Sequence, residues 1–423
     1  MMTLAEKLTL ESGNSDAGDA QQMLAQWGGA PLLYFALLAD KHYLFSPPGE
    51  RDWGIAYRVV GRQALALGDP FGDPNAVLDA ITGYLELCRS KGWKPVFYQT
   101  TPDYLGTYAK AGLKVVKVGE DAQIALADFS LAGKKYVKLR NDLRRIEKAG
   151  VVLEVYGLDA PVPASSIAEM ETISAGWRKA HHANEGWFAM GGFDPQSKLF
   201  AESRYFIARD TNTNRMLAFA SFVPTFGQGW TLDLMRRQAE TLHGVMDFLI
   251  VSAARLFASE GVQTLSLGLS PLAGADDAAE TPATSAVRRF LFTRLNRAYS
   301  FQGLHAFKGK FATHWEPRYL VYPGSLALAS ASGAVLKAHL TPPAAARPTR
   351  VWNMEIGTIR SRAFRALSLC ALLLLGFGPL QKTFARLQPM TYSRIAIRHI
   401  GVRYHSLHSL GLHHWKLHRV VQA

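Results

Sequence analysis

Two charged residues, Asp233 and Arg236, end a segment whose alternating pattern predicts a β-strand. The segment is Trp230-Thr-Leu-Asp233-Leu-Met-Arg236, and ligand-facing residues often emerge at strand ends in open α/β sheets. The carboxylate could orient or deprotonate an attacking group or hold an ammonium group, and the guanidinium could contact a phosphate or a developing oxyanion. Positions 233 and 236 of a regular strand face opposite sides, so one must lie beyond the strand if both serve one site. The alternative is a structural ion pair.

A second group of polar residues lies about seventy positions further along the chain. It combines Phe301-Gln-Gly-Leu-His305-Ala-Phe-Lys308 with Trp315-Glu316-Pro-Arg318-Tyr319. The Lys308 cation could neutralise charge on a tetrahedral intermediate or on a phosphate, or it could be a surface lysine on a helix. His305 could act as a general base or serve as a hydrogen-bonded structural histidine. We predict substrate contacts for Arg237, His305, Glu316 and Arg318, although the last two could instead fix a loop.

Together the two groups resemble the catalytic domain of the phosphatidylglycerol lysyltransferases, from about Tyr34 to Tyr322. The resemblance implies an α/β (α+β) fold of two tandem acetyltransferase-like (GNAT-like) domains, with mixed, largely antiparallel sheets joined by a basic helix. It implies transfer of lysine or alanine from aminoacyl-tRNA to the hydroxyl of a membrane lipid, phosphatidylglycerol. It also implies a catalytic centre of Asp233, Arg236 and Lys308 without a cofactor, at the cytoplasmic side of the membrane.

The sequence departs from the family pattern in two respects. The multi-helix membrane portion that precedes the catalytic domain in full-length members is not seen, so lipid flipping is not expected. The loop 276–285 is rich in Ala and Thr, and none of its acidic residues is matched here to the one that the family pattern expects. Two alternatives therefore stay open. One is transfer to another acceptor, such as diacylglycerol, another hydroxylated lipid or a peptide amine; the other is a non-catalytic module that binds lipid or tRNA.

The elements that would position these residues form two halves, residues 31–130 and 151–325. In the first half, periodicity and turn residues predict strands at 43–46, 54–60, 63–67 and 95–99 and a helix at 77–91. In the second half they predict strands at 151–155, 204–208, 216–224, 229–235 and 264–267 and helices at 167–179 and 245–261. The turn 236–244 contains one glycine, whereas a pyrophosphate needs close backbone approach, so an acyl-CoA donor is disfavoured.

A basic segment, residues 131–150, joins the two halves. Residues 134–148 contain seven Lys and Arg side chains above an apolar stripe, which predicts an amphipathic helix. This helix could bind successive phosphates of a tRNA acceptor stem through Lys138, Arg140 and Arg144, or it could be an ordinary solvated helix. The net charge of +13 does not decide between them, because residues 331–423 alone hold 13 basic residues and one acidic residue.

The ends of the chain differ from the two halves in composition. We predict a flexible lead-in at 1–30, loose or partly helical, a linker at 326–350 and a basic tail at 351–423. The uncharged stretch 366–380 is shorter than the roughly 20 residues of a spanning helix, which favours anchoring at a membrane surface; the alternative is an irregular extension. With only Cys88 and Cys370 there is no disulfide framework, and the histidines show no zinc pattern, so no metal is expected.

Overall fold

The structure is a computed structural model. It describes residues 14–47, 52–157, 160–180, 185–227, 229–271, 273 and 301–342. The loop 276–285, the tail 351–423 and His181-His182 lie outside these residues, so the expectations for them stay predictions. Within the described ranges, no helix combines the length and the apolar content that crossing a bilayer requires.

A single mixed sheet of twelve strands runs through both predicted halves. The strands are β1 (His42–Phe45), β2 (Trp53–Val60), β3 (Gln63–Leu67), β4 (Phe71–Gly72), β5 (Lys94–Thr100), β6 (Lys114–Ala125), β7 (Val151–Tyr156), β8 (Arg204–Asp210), β9 (Arg215–Thr225), β10 (Gly229–Arg237), β11 (Thr264–Pro271) and β12 (His314–Tyr322). Their spatial order is β1-β2-β3-β5-β12-β6-β11-β10-β9-β8-β7, with β4 on β2. The pairs β3–β5 and β10–β11 are parallel and the others described are antiparallel, which confirms the expected mixed, largely antiparallel α/β fold.

Helices cover both faces of this sheet. They are α1 (Asn14–Trp27), α2 (Val77–Ser90), α3 (Leu105–Lys110), α4 (Val137–Lys148), α5 (Ala164–Ala180), α6 (Lys198–Glu202), α7 (Val245–Ser259), α8 (Phe301–Lys308) and α9 (Leu328–Leu340). The predicted basic helix is confirmed as α4, whose Leu139, Leu143 and Ile146 are buried in the same apolar cluster as α7. A 3-10 helix, Pro31–Leu37, precedes β1.

The two halves repeat one pattern and exchange a strand. In each half, antiparallel strands are followed by a parallel pair that a helix connects: β3-α2-β5 and β10-α7-β11. The next strand then joins the other half, because β6 pairs with β11 and β12 pairs with β5. The strands β6 and β12 also pair with each other at the centre of the sheet. Backbone hydrogen bonds therefore connect the halves across the predicted 131–150 boundary.

Helices form in the segments assigned to the lead-in and the linker. Residues 14–27 of the lead-in form α1, and residues 328–340 of the linker form α9. Both helices contribute fully buried alanines, Ala20 in α1 and Ala331 and Ala338 in α9, to one apolar cluster. Small side chains at helical spacing permit such close packing.

Candidate active site

A bulge in β10 brings Asp233 and Arg236 to the same covering loop, residues 185–193. The pairing of β10 with β9 shifts between Leu232 and Met235, so β10 holds one extra residue there. The backbone N–H of Gly191 donates to Asp233 Oδ1 at 2.7 Å, and Arg236 Nη1 donates to Glu185 Oε1 at 2.9 Å. The expectation that one residue must lie beyond the strand is wrong, because the bulge resets the alternation of side chains inside it.

The environment of Asp233 favours the protonated carboxyl. Burial raises the pKa of Asp233 to about 7, against the lowering effects of the Gly191 hydrogen bond and the Arg236 charge. The negative charge of Glu185 adds to the increase. A carboxylate that titrates near neutrality can accept a proton from an attacking hydroxyl, and a nearby ammonium group would stabilise its ionised form.

Arg236 is held by protein groups. It forms a bidentate ion pair with Glu185, and its guanidinium lies 5.2 Å from the centre of the Trp177 ring. Its exposed fraction is 4 %. Glu185 also lies 3.3 Å from Arg178 and accepts from the backbone N–H of Phe193 at 3.2 Å. The structural ion pair expected as the alternative therefore exists, but the partner of Arg236 is Glu185 rather than Asp233.

Lys308, at the end of α8, is a buried lysine with a weakened affinity for its proton. It is 5 % exposed and donates to the carbonyl oxygens of Gly268 and Leu269, both at 2.9 Å. These carbonyls belong to a bulge in β11, where Gly268 adopts φ +78°. Burial lowers the pKa of Lys308 to about 8, and the charge of Asp121 opposes that change. The alternative of a surface lysine is wrong.

Arg318 is fully buried at the centre of the sheet. Its Nη2 donates to Asp121 Oδ2 at 3.0 Å and to Glu316 Oε2 at 2.8 Å. Asp121 also accepts from Ser266 at 2.8 Å and from Gln123 at 2.7 Å. Among the described residues, Nε and Nη1 of Arg318 have no hydrogen-bond partner. Buried polar groups are normally hydrogen-bonded, so these N–H groups could donate to a substrate oxygen or to water.

Two other predicted substrate contacts lie in different surroundings. The partly buried His305 ring stacks on Trp315 with 4.2 Å between ring centres. Its buried Nδ1 has no hydrogen-bond partner within the part of the chain that the structure describes. Arg237, by contrast, is exposed and donates to the backbone carbonyls of Gln238 and Ala239. The β10 bulge thus directs Arg236 inward and its neighbour outward.

The basic face of α4 is exposed except at one residue. Arg144 is exposed, and the side chain of Lys138 is 77 % exposed. Arg140 instead turns back and donates to the carbonyl oxygens of Leu131 and Gly133. Of the three residues predicted to follow tRNA phosphates, the structure leaves Lys138 and Arg144 facing solvent.

Four residues of these clusters were missed by sequence reasoning. Glu185 and Gly191 lie in an irregular loop, and Asp121 lies in a strand that pairs with the other half. Tyr34, in the 3-10 helix, donates to Glu202, and burial, Glu202 and the charge of Asp233 together raise the pKa of its phenol. In the sequence, only the adjacent glycines at 191 and 192 indicated that this loop could contact the site, because paired glycines often mark close backbone approach. Within the described ranges, no group of three or more His, Cys, Asp or Glu side chains could hold a metal ion.

Comparison with known proteins identifies a group of similar chains. The family model for the C-terminal part of phosphatidylglycerol lysyltransferase matches residues 21–322. The phosphatidylglycerol lysyltransferase of Bacillus subtilis is 29% identical over 300 residues, which are 71% of this chain and 34% of the relative. That of Staphylococcus aureus is 26% identical over 310 residues, which are 73% and 36%. The chain thus spans about a third of the length of these curated relatives.

Two solved structures share the fold. The C-terminal domain of a protein from Agrobacterium fabrum, described as a lysylphosphatidylglycerol synthetase, superposes with a TM-score of 0.67 and 30% identity. The match covers 78% of this chain and 98% of that one. L-PGS from Bacillus licheniformis gives the same TM-score and coverage, with 25% identity. Both clusters, around Asp233 and around Arg318, lie within the matched family range.

Proposed function

From the premise that this chain belongs to the family of phosphatidylglycerol lysyltransferase C-terminal domains, we propose that it is an aminoacyltransferase. It transfers lysine or alanine from aminoacyl-tRNA to a hydroxyl of a membrane lipid, phosphatidylglycerol. The observation that carries the proposal is the partly buried Asp233 at the bulge of β10, whose pKa of about 7 suits a general base at neutral pH.

The proposed reaction needs a general base, groups that stabilise the developing negative charge and an activated ester. The lipid hydroxyl oxygen attacks the ester carbonyl carbon, and its proton passes to Asp233. The tetrahedral intermediate then breaks its bond to the tRNA ribose oxygen, which takes up that proton. An aminoacyl ester is already activated, so positioning and charge stabilisation can supply the catalysis.

Lys308 and Arg318 are the proposed donors to substrate oxygens. Two of the three N–H groups of the Lys308 ammonium reach the carbonyls of Gly268 and Leu269, and the third would face the developing oxyanion or the lipid phosphate. Arg318 would use Nε and Nη1. Arg236, which Glu185 already holds, shapes the site and lowers the pKa of Asp233.

The turn between β10 and α7 supports a donor other than acyl-CoA. Gly244 precedes α7 with φ +91°, and a Cβ atom added to it would lie 3.3 Å from the Cβ of Asp142. Asp142 is 7 % exposed and pairs with Arg145 at 3.0 Å. A carboxylate close to this helix N-terminus would disfavour a second anionic group, such as a pyrophosphate, beside it. The exposed Lys138 and Arg144 of α4, close by in sequence, would bind tRNA phosphates.

The test is to incubate the full chain with tRNA carrying radiolabelled lysine or alanine and with phosphatidylglycerol vesicles. Label should enter the lipid fraction, and ribonuclease treatment of the tRNA should abolish it. The variant Asp233→Asn should lower the rate about 10²–10⁴-fold, the range for loss of a general base. Asp79→Asn, at an exposed helical aspartate, should not change it. Absence of label from a folded protein that still binds vesicles or tRNA would instead indicate a binding module.

A further inference from the structure

We propose that Phe188 is a positioning residue. Its contacts with the N-terminal half and with α9 fix the covering loop 185–193 over Asp233. Any effect of Phe188 on catalysis rests on the proposed function, whereas the positioning of the loop does not. The sequence places Phe188 between Glu185 and Gly191, the two loop residues that contact Arg236 and Asp233.

The covering loop controls both charged residues of the β10 bulge. It supplies the Gly191 N–H that binds Asp233 and the Glu185 carboxylate that binds Arg236. It is closely packed, because a Cβ added to Gly191 would lie 2.6 Å from Asp233 Oδ2 and would also overlap the side chain of Leu199. A displacement of this loop would therefore alter the hydrogen bonding and the hydration of Asp233.

Phe188 connects this loop to the N-terminal half and to α9. Its side chain is fully buried although its backbone adopts φ +74°, a conformation that bulky residues rarely take. Lys41 donates to its carbonyl oxygen at 2.9 Å and lies 4.9 Å from the centre of its ring. Tyr98 of β5 and His339 of α9 pack against the ring at 6.2 and 5.8 Å between centres. A strained residue persists only where its surroundings determine it strongly.

The same contacts reach the end of α9. Lys41 pairs with the buried Asp40, which also accepts from Arg58 at 3.1 Å. Arg58 donates in turn to the carbonyl oxygens of Ala338 at 3.1 Å and Thr341 at 2.8 Å, beside the C-terminus of α9. A buried ammonium and guanidinium need such partners, because burial of an unpaired charge is unfavourable. The position of α9 is thus connected to Phe188 through consecutive buried contacts.

The decisive experiment follows the titration of Asp233 without relying on activity. The full chain is labelled with ¹³C at the aspartate carboxyl carbons, and the Asp233 signal is identified by its loss in Asp233→Asn. In Phe188→Ala the signal should titrate at least about one pH unit lower, because a loosened loop admits water to the carboxylate. Phe188→Leu, which keeps an apolar side chain, should restore most of the original value. Phe257→Ala, which removes a fully buried ring from another apolar cluster, should leave it unchanged.

An unchanged Asp233 titration in folded Phe188→Ala would overturn the proposal. If Phe188→Ala does not fold, the Asp233 titration is measured in His339→Gln instead. This change removes one ring contact of Phe188 on the α9 side. A shift in the same direction would support the proposal, and no shift would overturn it. If the Asp233 titration shifts in the variant but the wild type transfers no aminoacyl group, the positioning role of Phe188 is supported and the proposed function is rejected. With activity present, the acid limb of the pH–rate profile should move with the titration.

Discussion

At the residue scale, surroundings rather than residue type decide what an ionisable group can do. Asp233 and Asp210 are both strand aspartates separated by 23 positions. Burial raises the pKa of Asp233 to about 7, whereas a hydrogen bond from Thr213 lowers the pKa of the partly exposed Asp210. Only the first is suited to accept a proton at neutral pH. The buried Lys308, with its pKa near 8, is likewise different from a surface lysine.

These two residues predict a narrow, bell-shaped pH dependence for the rate of aminoacyl transfer. Asp233 must be ionised to act as a base, so the rate should rise as the pH passes about 7. Lys308 must be protonated to stabilise negative charge, so the rate should fall above about 8. The profile of kcat/KM between pH 5 and 10 measures both limbs.

The matched variant for the alkaline limb is Lys308→Arg, because a guanidinium keeps its proton throughout this range. In that variant the fall above pH 8 should disappear while the limb near 7 remains. A wild-type rate that is constant from pH 5 to 10 would contradict the assignment of both residues.

At the element scale, irregularities in the strands form the candidate site. The bulge in β10 places Asp233 and Arg236 beneath the same loop, and the bulge in β11 presents two carbonyl oxygens to Lys308. A third irregularity, in the pairing of β5 with β12, falls at Gln99, which adopts φ +64°. Bulges often occur beside active sites because they redirect side chains that a regular strand would turn away.

The packing of Gly191 predicts the effect of one added methyl group. In Gly191→Ala the new Cβ would lie 2.6 Å from Asp233 Oδ2, closer than packed atoms can approach, so the loop must move. We expect at least a tenfold loss of kcat with the protein still folded. The control is Gly176→Ala in α5, where an added Cβ meets nothing within 4 Å. That change should keep activity and increase the free energy of unfolding by up to about 1 kcal/mol. Full activity of Gly191→Ala would contradict the proposed packing.

The exposed face of α4 predicts a charge-dependent interaction with tRNA. Replacing Lys138 and Arg144 by Gln should weaken binding of uncharged tRNA and reduce the slope of log K against log salt by about one per lost phosphate contact. The control is Arg62→Gln, at an exposed arginine in the turn between β2 and β3. Equal salt slopes for all three proteins, measured by fluorescence anisotropy, would exclude α4 from the tRNA surface.

At the scale of the whole molecule, the two halves depend on each other. The strand β6 of the first half pairs with β11, and β12 of the second half pairs with β5. Residues of the first half also surround the proposed centre, since Asp121 binds Arg318 and Tyr34 lies near Asp233. A sheet that crosses both halves in this way should unfold as one unit.

This exchange predicts that neither half folds alone. Expressed separately, residues 1–150 would leave β5 and β6 without their β12 partner, and residues 151–423 would leave β11 and β12 without β6. Unpaired strand edges favour aggregation, so both fragments should be insoluble. Co-expression should recover a soluble complex, observed by co-purification of the untagged fragment. A soluble fragment 1–150 with a cooperative thermal transition would contradict the prediction.

The sequence by itself determined the local elements and the types of residue that could do chemistry. Hydrophobic periodicity predicted most strands and the helices α2, α4, α5 and α7, because these depend on neighbours close in the chain. The two motif groups, with their resemblance to a known family, indicated Asp233, Arg236, Lys308 and Arg318 as candidates. A loose or partly helical lead-in was expected where α1 lies, whereas the segment of α9 was assigned to a linker, since the surface that covers it is formed by residues distant in the chain.

Only the tertiary structure decided which of these residues meet, and in which protonation state. Glu185 and Asp121, the partners of Arg236 and Arg318, are 51 and 197 positions away in the sequence. Such contacts depend on strand exchange and on two bulges, and neither has a periodic signature in the chain. Burial is equally non-local: the pKa values of Asp233 and Lys308 follow from how much water the folded chain excludes around them.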